Sequence, residues 1–253
     1  MIKALLISLL TATLAHAQGY DARTADYLRA WRIGAAGPDP LDGLPQQGSI
    51  VAYYPLDGDA YDVISGTFGT WGADVTETSD AIRGTAASLN RAANSYVTTV
   101  NSTLLHGEAN STISVWVKLR KYDFVGGIVL FRGGGLEGMV QLTTTNTLRA
   151  VSNRPGSASR TIDYDSFTEY GEWCHLAVTA ANTETVKLYK NGVLIGQSAT
   201  VLAALIGQST PFLIGYDTYS SSRKSDGIFD EVVIWNTALS SNEVYQVYQR
   251  DAP

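Results

Sequence analysis

The chain of 253 residues is poor in cysteine, histidine and charge. Its one cysteine, Cys174, excludes a disulfide within the chain, so the fold depends on its core. Charged residues make up 17% of the sequence, and the net charge of −6 comes without a lysine- or arginine-rich stripe. Nucleic acid is not an expected partner, because its binding needs a basic surface that neutralises phosphates.

The scarcity of histidine also argues against hydrolytic catalysis. His16 lies in the first residues of the chain, which leaves His106 and His175 for any catalytic triad. No Gly-x-Ser-x-Gly motif is present. We predict that His175 is a satisfied polar residue within a strand. Cys174 is predicted to be a small apolar residue of a strand interior.

Long apolar runs are absent except at the N-terminus. A basic start over residues 1–3, an apolar run over 4–14 and the Ala-His-Ala sequence at 15–17 are typical of a secretory signal peptide. A retained hydrophobic anchor is the alternative. We therefore expect residues 1–17 to be removed, and the protein to be extracellular, at the cell surface or periplasmic. No membrane insertion is expected after removal.

Residues 18–48 are predicted to form a segment separate from the main domain. Residues 21–33 have the spacing of a short amphipathic helix that begins at Asp21 and ends at Gly34. The proline- and glycine-rich residues 37–48 are typical of a linker or an irregular strap. The helix either docks on the domain or leads into it.

From residue 49 onward the pattern is that of an all-β protein. Short β-rich runs alternate with turn residues, and Asn191-Gly192 between two such runs predicts a hairpin. In the run over 111–118, alternation places Trp116 on the face opposite Ile113, Val115 and Val117. A capped helix is predicted over residues 240–248. The predicted strands cover 50–56, 86–89, 95–99, 111–118, 127–132, 139–142, 147–151, 173–179, 185–190, 193–196, 212–216 and the run that begins at 227.

The order of these runs resembles a known family, the laminin-G-like, concanavalin A-like jelly-roll domains of secreted bacterial proteins. The matching segments are residues 52–58, 62–66, 112–118, 172–179, 186–196, 213–216 and 227–240. The resemblance implies a two-sheet antiparallel β-sandwich over residues 49–250, with the first and last strands adjacent. Two departures are Cys174, where the family often has histidine or another polar residue, and a glycine-rich insertion over 122–138.

Related jelly rolls include glucanases that carry Glu-x-Asp-x-x-Glu on one strand, and this triplet is absent here. Glycoside cleavage needs two carboxyl groups that flank the bond. Asp165, Glu169 and Glu172 lie in a turn-like stretch and do not have the spacing of a strand. We therefore expect a protein that is not an enzyme.

The best candidate for a metal site is the acidic loop with Asp57, Asp59 and Asp62. Carboxylates on a flexible loop suit calcium, which prefers oxygen ligands. The resemblance implies that the terminal acidic strand meets this loop and brings Asp230 or Glu231 toward it. The alternative is that these aspartates cap turns and accept hydrogen bonds from local amides.

The best candidate for ligand recognition is the loop over residues 216–226. Tyr216 and Tyr219 offer flat amphipathic rings, and Arg223 and Lys224 offer hydrogen-bond donors. Trp71 is a further side chain that can stack on a sugar. The alternative is a long solvated loop.

These features predict a secreted, non-catalytic module that is stabilised by calcium and binds a glycan or an extracellular protein surface. The alternative is a structural component of an extracellular assembly or virion. Residues 21–48 would then serve in self-assembly. An unrecognised polysaccharide hydrolase or lyase is the less favoured third hypothesis.

Overall fold

The computed structural model describes residues 39–92, 94–99, 104–105, 108, 110–120, 126–133, 136–142, 146–152, 160–181, 185–200, 212–216 and 224–253. The chain divides into two compact units, Met1–Asp42 and Gly43–Pro253. Residues 39–42 of the first unit form a turn in which Asp42 N donates to Asp39 O (2.8 Å). The helix predicted over 21–33 lies outside the described residues.

The described residues of the second unit form short strands joined by turns, and an α-helix follows the last strand. A 3-10 turn (Gln47–Ser49) precedes the first strand, and the helix is α1 (Ser241–Asp251). The strands are β1 (Ile50–Tyr54), β2 (Tyr61–Asp62), β3 (Thr67–Phe68), β4 (Thr70–Trp71), β5 (Thr76–Thr78), β6 (Ala86–Asn90), β7 (Val97–Thr98), β8 (Ser111–Leu119), β9 (Gly126–Gly133), β10 (Leu136–Leu142), β11 (Leu148–Ser152), β12 (Arg160–Tyr164), β13 (Cys174–Ala180), β14 (Thr185–Lys190), β15 (Val193–Thr200), β16 (Leu213–Ile214) and β17 (Asp226–Trp235).

These strands form two large antiparallel sheets and one short ribbon. The eight-stranded sheet has the order β15-β14-β13-β8-β17-β6-β5, and β1 also pairs with β17. The seven-stranded sheet has the order β12-β11-β10-β9-β16-β7-β4, and β2 pairs with β3. Buried apolar side chains from both large sheets form one core cluster. The predicted β-sandwich is confirmed.

The first and last strands are hydrogen-bonded neighbours, as the resemblance implied. Ile50 pairs with Trp235 and Tyr54 pairs with Val232. The other half of the same edge of β17 pairs with β6, where Phe229 lies opposite Ala87. Strand β17 therefore connects β1, at the start of the domain, to β6 within one sheet.

Alternation along β8 decides which side chains enter the core. Val115 and Val117 belong to the core cluster, whereas Trp116 lies on the outer face of the eight-stranded sheet, as predicted. Helix α1 covers this outer face with buried Val244 and Val247. Tyr248 stacks on Trp116, with 5.7 Å between the ring centroids. This sheet is thus buried on both faces around Trp116, which explains an aromatic side chain on its outer side.

Helix α1 is amphipathic and short. Among the described residues, no helix combines the length and the apolar character needed to cross a lipid bilayer. The predicted cap is confirmed: Ser240 Oγ accepts the Glu243 N–H, and the Ser240 N–H donates to Glu243 Oε2 (2.7 Å).

The predicted hairpin at Asn191-Gly192 is also confirmed. Both residues have positive φ, 49° and 74°, as a tight two-residue turn between β14 and β15 requires. A Cβ at position 192 would lie 2.7 Å from Tyr245 Cδ2 of α1, so glycine is needed for the close approach of the helix.

Two parts of the seven-stranded sheet differ from the prediction. The strands predicted over 127–132 and 139–142 are longer than expected: β9 covers Gly126–Gly133 and β10 covers Leu136–Leu142, and the two strands pair with each other. Strand β12 was not predicted. It lies at the edge of the sheet, and Ile162 is buried between the exposed residues Thr161 and Asp163. With Ile162 as its one clearly buried apolar residue, the segment shows too little alternation to be recognised as a strand from sequence.

The capping contacts predict a measurable contribution of Ser240 to stability. Ser240→Ala removes the acceptor of the Glu243 N–H and should lower the free energy of unfolding by about 1 kcal/mol in urea. Gln246→Ala, an exposed position on the same helix, is the matched control and should change it by less than about 0.5 kcal/mol. Equal effects of the two variants would contradict a stabilising cap.

Candidate functional site

Two tyrosines meet at one end of the seven-stranded sheet because their strands are antiparallel neighbours. Leu213 of β16 lies opposite Thr98 of β7, and Ile214 lies opposite Val97. The end of β16 therefore lies beside the start of β7. Tyr96, just before β7, and Tyr216, two residues after β16, are brought to the same place.

A glycine makes this approach possible. Gly215 has a φ of 83°, in the left-handed region that favours glycine, and a Cβ there would lie 2.0 Å from Leu89 Cδ2. The Gly215 carbonyl accepts the Ser225 N–H (2.8 Å), and Tyr216 forms an isolated antiparallel bridge with Lys224. The turn at Gly215 thus fixes Tyr216 between Tyr96 and Lys224.

The three side chains form a compact, half-buried aromatic site, defined here as Tyr96, Tyr216 and Lys224. The tyrosine ring centroids are 4.9 Å apart with an interplanar angle of 35°. Lys224 Nζ lies 5.4 Å from the centroid of the Tyr216 ring, within the range of a cation–π contact. Such a site combines an apolar stacking surface with polar groups at its margin.

The other residues predicted to bind a ligand are Trp71, Tyr219 and Arg223. Trp71 pairs with Val97 across β4 and β7, so it lies one strand away from Tyr96. Its ring packs against the core cluster and its Nε1 donates to Val75 O (3.1 Å). Its role in binding stays a prediction. Tyr219 and Arg223 lie outside the described residues.

Tyr96 was missed as a binding residue by reasoning from sequence. The predicted strand over residues 95–99 carried a usable signal, because alternation with the inward Val97 places Tyr96 on the outer face. Its partner Tyr216 is 120 positions away in the sequence. Only the pairing of β7 with β16 reveals that the two rings meet.

The acidic residues predicted to bind calcium are held by backbone N–H groups. Asp62, which is 1% exposed, accepts the N–H groups of Tyr53 and Ile64 at Oδ1, each at 3.0 Å. Its Oδ2 accepts the Ser65 hydroxyl (2.6 Å). The Asp62 carboxylate therefore links β1, through Tyr53, to the turn that follows β2, through Ile64 and Ser65.

Asp57 and Asp59 also accept hydrogen bonds from backbone N–H groups. Asp57 Oδ1 accepts the Thr85 N–H (2.7 Å), and Asp59 Oδ1 accepts the Tyr61 N–H (2.8 Å). Burial raises the pKa of Asp57 above its ordinary value, the hydrogen bond from Thr85 opposes that rise, and the charge of Asp59 adds to it.

Asp230 is fully buried where the terminal strand meets the loop over 79–84. Its Oδ2 accepts the N–H groups of Ile82 (2.7 Å) and Arg83 (3.1 Å), and its Oδ1 accepts the N–H of Glu231 (2.9 Å). Burial and the adjacent Glu231 raise the pKa of Asp230 to about 8, and Asp57 adds to the rise. Asp230 and Asp57 thus accept N–H groups of the same short segment, at Arg83 and Thr85.

Glu231 lies beside Asp230 but belongs to a different set of contacts. It has a positive φ of 50° and its side chain accepts the Tyr53 hydroxyl (2.6 Å) and Arg250 Nη1 (3.3 Å). Burial raises the pKa of Glu231 to about 7. Arg250 also pairs with Asp251, so this network attaches the end of α1 to the sheet.

The four aspartates do not form a metal-binding group in this structure. Across the described ranges, no group of three or more His, Cys, Asp or Glu side chains is placed to hold a metal ion. Asp57, Asp59, Asp62 and Asp230 each accept at least one backbone N–H. These contacts are those of the alternative, in which the carboxylates order turns, and calcium binding stays a prediction.

Family comparison agrees with the topology. Residues 91–245 match the model of the concanavalin A-like lectin/glucanases superfamily. The chain belongs to this superfamily. Comparison with curated proteins finds no match.

Solved structures of jelly-roll binding domains resemble this member of the superfamily. The binding domain of Paraclostridial Mosquitocidal Protein 1 has a TM-score of 0.67 and 16% identity, over 80% of this chain and 52% of that chain. The Botulinum neurotoxin serotype G binding domain has a TM-score of 0.65 and 17% identity, over 79% and 51%. The chain therefore spans about half the length of these two domains.

A third structure matches over almost its whole length. It is domain 4 of AbnA, a GH43 extracellular arabinanase from Geobacillus stearothermophilus, in complex with arabinotriose. Its TM-score is 0.59 at 21% identity, over 79% of this chain and 98% of that one. At these identities the likeness shows the shared fold.

The concanavalin A-like fold buries the two residues considered for nucleophilic catalysis. His175 is fully buried in β13, its Nε2 is 2.6 Å from Ser114 Oγ, and burial lowers its pKa to about 3. Within the described ranges, Nδ1 of His175 has no hydrogen-bond partner, so the imidazole is satisfied at Nε2 alone. Cys174 is buried in the core, as predicted, and burial raises its pKa to about 12.

The contacts of Asp62 predict a structural role that does not depend on calcium. Asp62→Ala leaves buried N–H groups of the chain without an acceptor and should lower the free energy of unfolding by about 3 kcal/mol. Asp62→Asn keeps Oδ1 as an acceptor and should lose less. Thermal melts of both variants should shift equally in calcium and in chelator. A shift seen only in calcium would show that Asp62 is a metal ligand.

The burial of His175 predicts a dependence of stability on pH. The pKa of His175 is about 6.5 in the unfolded chain and about 3 in the folded chain. Below pH 6.5 the unfolded chain therefore gains a proton that the folded chain does not. The stability that comes from the neutral imidazole is complete above pH 6.5 and is lost as the pH falls toward 3. At pH 5 the loss is about 2 kcal/mol. His175→Gln should reduce this acid sensitivity in urea titrations from pH 4.5 to 7, whereas Ser114→Ala should retain it. An unchanged pH profile in His175→Gln would contradict a neutral buried imidazole.

Proposed function

We propose that this protein is a secreted, non-catalytic recognition module that binds a glycan or an extracellular protein surface at the aromatic site. One observation carries the proposal: two half-buried tyrosine rings, 4.9 Å apart, meet a lysine ammonium at the end of a sheet. Tyrosine offers a rigid ring with few rotatable bonds, so its ordering on binding costs little conformational entropy.

The chemistry of the site suits a saccharide. Sugar rings present C–H faces that pack on aromatic rings, and hydroxyl groups that pair with donors and acceptors. Among the described residues, the hydroxyl groups of Tyr96 and Tyr216 have no hydrogen-bond partner. They are therefore available to a ligand. The solved structure of the arabinanase domain with arabinotriose supports the proposal, since that domain has the same fold.

The proposal of a non-catalytic role is supported by the state of the candidate acids and nucleophiles. Glu169 is paired with Lys190, and although burial would raise its pKa, this ammonium and nearby N–H groups hold the pKa below its ordinary value. A general acid for glycoside cleavage needs a raised pKa instead. Asp165 accepts the Thr147 hydroxyl (2.7 Å). His175 and Cys174 are buried beyond the reach of a substrate.

The proposal of an extracellular location is supported by the first residues of the sequence. A basic start, an apolar run and Ala-His-Ala at 15–17 have the pattern of a cleaved leader. A cleavage assay by mass spectrometry of the exported protein would test it. The alternative of a self-assembling structural protein would be favoured by concentration-dependent particles without glycan binding.

Substitution of the two tyrosines tests the proposed function. A glycan array identifies saccharides bound by the mature chain, and Tyr96→Ala or Tyr216→Ala should weaken that binding about tenfold through loss of stacking. Tyr245→Ala is the matched control, because Tyr245 is an exposed tyrosine on α1. Affinities measured by calorimetry should be unchanged in this control. Equal affinity in all three variants and the wild type would place binding elsewhere.

A further inference from the structure

The aromatic site carries a positive charge that the described protein residues do not neutralise. Two basic side chains on the strands have acidic partners: Lys118 pairs with Asp80 (2.8 Å) and Arg149 with Asp163 (2.6 Å). Lys224 has no carboxylate partner among the described residues, and its ammonium lies over the ring of Tyr216. In a protein of net charge −6, an ammonium within an aromatic cluster that no described carboxylate pairs needs an explanation.

Among the described residues, the carboxylate that follows Lys224 in the chain is already engaged. Asp226, two residues further along, pairs with Arg120 (3.4 Å). Arg120 is in turn held by Leu89 O (2.8 Å) and Ser88 Oγ (2.6 Å). Asp226 is thus paired with Arg120 and not with Lys224.

The other side of the site shows the same arrangement. Near Tyr96, the Asp74 carboxylate accepts the N–H of Asn94 (2.9 Å), and the Asp74 carbonyl accepts the Ser95 hydroxyl (3.3 Å). This acid is tied to the backbone of the neighbouring loop that precedes Tyr96. The site therefore combines a stacking surface, two tyrosine hydroxyls and one ammonium that pairs with no acid in the part of the chain that the structure describes.

We propose that the aromatic site takes an acidic saccharide, whose ring stacks on the tyrosines and whose carboxylate or sulfate group pairs with Lys224. This inference rests on the proposed function and names the class of its ligand. An ammonium that donates to an anion forms a shorter and stronger hydrogen bond than one that donates to a neutral hydroxyl. The aromatic faces reduce the solvent around Lys224, so the pair is screened less than a fully exposed one.

Three oligosaccharides of equal length test the inference by calorimetry: a uronic acid tetrasaccharide, a sulfated tetrasaccharide and a neutral tetrasaccharide of the same linkage. The wild type should bind at least one acidic probe more tightly than the neutral one. Lys224→Met should weaken binding of that acidic probe about five- to tenfold and leave the neutral probe unchanged. Lys224→Arg should retain the preference. Lys187→Met, at a half-buried lysine of β14, controls for the loss of one charge and should change nothing.

The outcomes separate this inference from the proposed function. If the wild type binds neutral and acidic probes equally, or Lys224→Met weakens both alike, the acidic class is wrong. The recognition function then stands, provided that Tyr216→Ala weakens the neutral probe. If no saccharide binds the wild type, or Tyr216→Ala leaves all affinities unchanged, glycan recognition at the aromatic site is wrong and the inference fails with it. Preference for one acidic probe over the other distinguishes a carboxylate ligand from a sulfated one.

Discussion

The sandwich depends on the terminal strand β17 and on the irregularity in its middle. Opposite β8, Asp230 pairs with Trp116 and Val233 with Ser114, so β17 has one residue too many between them. This β-bulge places both Phe229 and Val232 in the core, and it turns Glu231 into the left-handed region. At the same point the neighbour of β17 changes from β6 to β1. The bulge lets one strand serve two partners without exposing its apolar face.

Burying polar groups at the bulge is costly unless each one has a partner. The carboxylates of Asp230 and Glu231 have such partners: N–H groups of the loop over 79–84, the Tyr53 hydroxyl and Arg250 of α1. The first strand, the loop and the helix are therefore held by one pair of adjacent acids. The acidic pair that the sequence shows within a β run is thus accounted for by its place in the sandwich.

Reasoning from sequence predicted those parts of the fold that local patterns specify. Alternation identified β8 and the outward Trp116, Asn191-Gly192 identified the hairpin, and Ser240 with Glu243 identified the start of α1. The candidate site was only partly predictable. Tyr216 and Lys224 share one loop in the sequence, but Tyr96 joins them through the pairing of β7 with β16, which no local pattern encodes. The aspartates accept hydrogen bonds mainly from backbone N–H groups, which every residue except proline has. The sequence alone therefore does not distinguish aspartates that bind a metal ion from aspartates that cap turns.

The pairing of Ile50 with Trp235 brings the start of the first strand of the jelly roll beside the end of the last one. The two residues lie opposite each other on neighbouring antiparallel strands. A domain whose first and last strands are neighbours can be inserted into a single surface loop of another protein. Such an insertion would not separate the two segments that flank the loop.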